Sequence, residues 1–83
     1  MKRATADVNH GRDFFRLIVR EIASGKADWE IWKNHNFLVG TDSRTEVGFG
    51  GINFDQSKSD AEHFLRTHVN PHAEVNWTEL DEK

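Results

Sequence analysis

The period of hydrophobic and polar positions changes along the chain. From Gly11 to Ala23 the apolar residues Phe14, Phe15, Leu17, Ile18, Val19 and Ile22 contain the set 14, 17, 18 and 22, spaced as one face of a helix, while Arg12, Arg16 and Arg20 recur every fourth residue. The spacing predicts an amphipathic helix with a basic ridge, capped by Asn9 and stopped at Ser24-Gly25, where glycine enters the left-handed conformation without steric cost. Residues 1–10 are polar and lack periodicity, and are expected to form a flexible N-terminal arm.

From Asp28 the period becomes two. Trp29 and Ile31 alternate with Asp28, Glu30 and Lys33, and Phe37-Leu38-Val39 resumes after the polar Asn34-His35-Asn36. This predicts two strands joined by a tight turn; the competing reading makes 28–35 a short helix capped by Asp28, with Trp29 and Trp32 three apart. Thr41-Asp42-Ser43-Arg44 has turn chemistry, and Thr45-Glu46-Val47-Gly48-Phe49 alternates as a further strand. Val47 and Phe49 are odd-numbered while Ile52 and Phe54 are even, so a β-bulge is expected at Gly50-Gly51. The same glycines do not read as a phosphate cradle, because no Walker lysine follows them.

A second helix is expected to open at Ser57-Lys58-Ser59-Asp60-Ala61-Glu62, with Ser57/Asp60 and Ser59/Glu62 as candidate capping boxes and Ala61, Phe64, Leu65 and His68 on one face. Asn70-Pro71 ends it, Ala73, Val75 and Trp77 alternate as a last strand, and residues 81–83 form an acidic tail. The expected fold is α+β, a single domain over residues 11–80 in the order α-β-β-β-α-β, with an antiparallel sheet packed on one face by two helices.

Length and composition bound this picture. A chain of 83 residues buries only about 60% of its unfolded surface and fills one core. With no cysteine there is no disulfide framework, thiolate metal site or thiol nucleophile. No apolar run is long enough to span a membrane, and the opening Met1-Lys2-Arg3-Ala4-Thr5-Ala6-Asp7 reaches an acid before any hydrophobic stretch, so the expected location is the cytoplasm.

The formal charge of −3 is unevenly spread: residues 1–26 hold six Lys/Arg against three Asp/Glu, and residues 27–83 hold five against eleven. A pI near 5.9 argues against direct nucleic-acid binding, which draws on clustered Lys and Arg. An acidic surface that docks on a basic protein partner is the expectation that follows.

Zinc needs about three or four ligands aimed at one point, yet His63 and His68 are five apart and point about 140° from each other on a helix, leaving His63, His68 and His72 as weak metal candidates. Asp28, Glu30, Asp42, Glu46 and Asp55 sit at turns or outward positions, where nothing shifts a carboxylate toward acid-base work. No Gly-x-Ser-x-Gly elbow occurs, so no catalytic residue and no cofactor is expected. If Trp29 and Ile31 face the core, Trp32 faces the open side of the sheet, where an exposed indole reads as an interface anchor. Trp32, Glu30, Asp42 and Glu46 are therefore the expected contacts with a partner or with a second copy of the chain.

The expected order of helix, three strands and helix is similar to that of the double-stranded RNA-binding domain. That family's second helix opens with a lysine cluster, whereas Ser57-Lys58-Ser59-Asp60-Ala61-Glu62 carries one lysine and two acids. Residues 29–75, with Trp29-Glu30-Ile31-Trp32-Lys33, the Ser57-Lys58 helix start and Asn70-Pro71-His72-Ala73-Glu74-Val75, resemble the YegP-like family of small uncharacterised domains. The resemblance implies three strands before a helix and no known catalysis. The expected function is a non-enzymatic protein-protein interaction module, of the kind a phage-type or accessory inhibitor would use against a basic site on a nuclease or nucleic-acid-binding protein. The alternatives are a histidine-based metal or small-ligand binder and, below it, a double-stranded RNA-binding-like domain.

Overall fold

The computed structural model describes residues 1–40 and 53–81. Its elements are β1 (Lys2–His10), β2 (Asp13–Ala23), β3 (Lys26–Lys33), β4 (Asn36–Gly40), α1 (Phe54–His68) and β5 (Thr78–Asp81). The strands form one antiparallel sheet in the order β4-β3-β2-β1-β5, and α1 packs on one face of it against β3 and β2. The class is α+β as expected. Two expectations are corrected: among the described residues there is one helix, and the order is β-β-β-β-α-β.

Residues 13–23 form the central strand β2, where a helix was expected. Phe15, Leu17 and Val19 are buried against α1, while Phe14, Arg16, Ile18 and Arg20 lie on the opposite face. Apolar residues on both faces blur the period of two, and arginines four apart satisfy a strand as well as a helix. The β-branched Ile18, Val19 and Ile22 suit a pleated surface better than a helix.

The flexible arm expected over residues 1–10 is instead β1, an interior strand hydrogen-bonded to β2 on one side and β5 on the other. Ala4, Ala6 and Val8 are its buried positions. Three tight hairpins link β1 to β4. Gly11 (φ +62°) and Gly25 (φ +75°) supply the left-handed residues of the first two, and Asn34 (φ +50°) with His35 (φ +69°) makes the third at the expected turn. Residues 26–33 are strand, which decides against the short helix at 28–35.

The helix starts one turn earlier than expected. Asn53 is its cap, and the Asn53 side-chain oxygen accepts the Gln56 backbone N–H at 2.7 Å. Ser57 therefore lies inside the first turn, fully buried against the sheet, rather than in a capping box. Phe54, Ala61 and Leu65 share that buried face. The fully buried Leu17, Ile31 and Leu65 form the centre of the core, each contributing about 1.5–3 kcal/mol.

Residues 73–77 are extended but form no strand. Arg66 Nε donates to the Ala73 carbonyl at 3.1 Å, and Trp77 Nε1 donates to Glu62 Oε2 at 2.7 Å. These contacts lash the segment to the helix, so its alternation reflects packing of Ala73, Val75 and Trp77 on the core. Pairing begins only at Thr78, and Asp81 of the expected acidic tail closes β5 on Lys2. The Thr41–Arg44 turn, the Thr45–Phe49 strand and the Gly50-Gly51 bulge lie outside the described residues. No helix among the described residues is long and apolar enough to cross a membrane.

Candidate interaction surface

The face of the sheet turned away from α1 is built in rows that the register sets. Asp28, Arg20 and Arg3 align across β3, β2 and β1, with Leu80 of β5 beside Arg3. The next row is Gly40, Glu30, Ile18, Thr5 and Thr78. The third is Phe37, Trp32, Arg16 and Asp7. Phe14 and Asn9 follow, with His35 of the β3–β4 turn 5.7 Å from the Phe14 ring.

The third row holds an ion pair at one end and an aromatic pair at the other. Arg16 meets Asp7 through two side-chain hydrogen bonds, Nε to Oδ1 at 2.9 Å and Nη2 to Oδ2 at 3.3 Å. Its guanidinium also lies 5.6 Å from the centre of the Phe14 ring. Trp32 packs edge-on to Phe37, with ring centres 5.7 Å apart. Phe14, Arg16, Ile18, Trp32 and His35 line a shallow hollow of about 190 Å³. Within this setting Trp32 Nε1 is buried and has no hydrogen-bond partner among the described residues.

A second group lies one row away from Ile18. Arg20 stands between two carboxylates, 3.3 Å from Glu30 and 3.8 Å from Asp28. Asp28 is mostly buried, and one of its oxygens accepts no hydrogen bond. Burial pushes its carboxyl above the ordinary value; the positive charge of Arg20 opposes that shift and the negative charge of Glu30 adds to it.

The expected contact residues fare differently. Trp32 and Glu30 are on this face in adjacent rows, and Trp32 points away from the core that holds Trp29 and Ile31. Asp42 and Glu46 lie outside the described residues. The three candidate histidines lie on and after the helix: His63 Nε2 is 3.5 Å from Thr67 Oγ1, and His68 packs on Phe64 with centres 4.4 Å apart. His72 sits in the turn after the helix, its backbone N–H donating to Asn70. No group of three or more His, Asp or Glu among the described residues is arranged to hold a metal ion.

Phe14, Arg16, Ile18 and Arg20 were missed as members of the face because their segment read as a helix. The signal was present in the alternation of Phe15, Leu17 and Val19 with Arg16, Ile18 and Arg20. The described face is also not acidic, since Arg3, Arg16 and Arg20 match Asp7, Asp28 and Glu30 in number. The chain matches no protein-family model, no curated protein and no solved structure.

Proposed function

We propose that the protein is a non-enzymatic interaction module that docks another protein chain on the open face of its sheet, with Trp32 as the anchor. The observation that carries this is an apolar and aromatic patch of Phe14, Ile18, Trp32 and the exposed Phe37 on the sheet face turned away from the core. Aromatic anchors of this type dominate protein interfaces, and the ion pairs Arg16–Asp7 and Arg20–Glu30 form a polar rim around this one. The rim favours a partner carrying both signs of charge over a purely basic site.

A photo-crosslinking side chain placed at Phe37, with a control at Ser59 on the exposed side of α1, tests the proposal. The expected result is a discrete protein conjugate from position 37 only, lost on Trp32→Ala. Conjugation that is absent from position 37, or that survives Trp32→Ala in a chain still folded by circular dichroism, would overturn it.

A further inference from the structure

Resting on that reading, we infer that the occupant of the open face is a second copy of this chain, stacked sheet on sheet about a two-fold axis that runs across the strands. Charge is the first argument. The whole chain carries −3, yet the three arginines and three carboxylates of this face cancel, so the open face is where two copies repel each other least. The face carries both signs, with Arg16 beside Asp7 and Arg20 beside Asp28 and Glu30.

The direction of the axis follows from the rows. An axis parallel to β2 would set Arg16 on Arg16 and Arg20 on Arg20, a like-charge arrangement. An axis across the strands, between the Glu30–Ile18 and Trp32–Arg16 rows, exchanges those two rows instead. Each Trp32 ring then faces the Glu30 side chain of the other copy, and each Ile18 faces the aliphatic stem of Arg16. The outer rows exchange likewise, bringing Arg20 over Phe14. In this arrangement no charge is set on its own kind.

Area is the third argument. Strands of 9, 11 and 8 residues in β1, β2 and β3 give a face about 30 Å long, and five strands make it about 20 Å wide. Stacking two such faces removes roughly 1,200 Å² from solvent, the lower bound of specific interfaces.

Sedimentation equilibrium of the purified chain reads the outcome. The wild type is expected at twice its 9.6 kDa mass, dissociating on dilution. Ile18→Asp and Phe37→Ser should each weaken the dimer about tenfold or more. Trp32→Ala, which removes the ring, should weaken it by roughly tenfold or more, while Ser59→Asp on the far side leaves it unchanged. Phe37 is 58% exposed, so Phe37→Ser keeps the test valid if Ile18→Asp fails to fold. A wild type that stays monomeric at the highest attainable concentration would sink the inference, as would a dimer that folded Phe37→Ser leaves intact. A monomer that still gives a Trp32-dependent conjugate from position 37 removes the second copy but keeps the docking face; a monomer without one removes both.

Discussion

Trp32 and Phe37 meet edge to face, their ring centres 5.7 Å apart at 84°, because β4 carries one extra residue. Val39 pairs with Ile31, but Phe37 rather than Leu38 pairs with Trp32, so the register shifts by one between these pairs. In a regular strand Phe37 and Val39 would point the same way. The bulge instead leaves Val39 packed on the core and turns Phe37 onto the open face beside Trp32. A backbone irregularity therefore assembles the aromatic centre of the proposed docking surface.

Ser57 is fully buried between helix and sheet, and its hydroxyl has no hydrogen-bond partner among the described residues. Alanine removes the unsatisfied group and is also the better helix former. Ser57→Ala is expected to stabilise the fold by about 1 kcal/mol, read as a higher urea midpoint with an unchanged slope. An equal or lower midpoint would mean that the hydroxyl finds a partner in solution.

Asp28 makes stability depend on pH in an uncommon direction. Its carboxyl is raised above 3.8 chiefly by burial, against the opposing charge of Arg20, with Glu30 adding to the rise, so the folded state binds the proton more tightly than the unfolded state. The resulting penalty is absent below the ordinary value and grows as pH rises through the raised one. Asp28→Asn should thus stabilise the protein at neutral pH and flatten the fall in stability in the window just above 3.8. Thermal melts of both proteins across pH 3–7, about one unit apart, check this. A variant less stable than the wild type at neutral pH would show that pairing with Arg20 outweighs burial.

Asn34 both turns the chain and ties the turn down. Its φ is +50°, its side-chain oxygen accepts the Phe14 N–H at 2.9 Å, and its amide donates to Asp13 at 3.0 Å. Glycine keeps the conformation but loses these bonds, whereas alanine loses both. Asn34→Gly should cost about 1 kcal/mol, and Asn34→Ala about 1 kcal/mol more, by chemical denaturation. Equal losses would place the whole contribution of Asn34 in its hydrogen bonds.

The sequence by itself determined the features that depend on neighbours along the chain. The α+β class, the strand from Asp28 to Lys33, the turn at Asn34-His35 and the outward direction of Trp32 all rest on local alternation and turn chemistry. The helix was legible too, although its start was expected a turn too late because Ser57 and Ser59 offered caps as good as Asn53. What only the tertiary structure decided is what depends on distant partners. Lys2–His10 became an interior strand because β2 and a return of the chain at Thr78–Asp81 both pair with it, and nothing in its own alanine-rich alternation announces either. Residues 13–23 carry apolar groups on both faces, so their period was ambiguous until two neighbouring strands took up their backbone hydrogen bonds. The open face exists for the same reason: its rows are made by register between strands, and register is a property of pairs that no single segment contains.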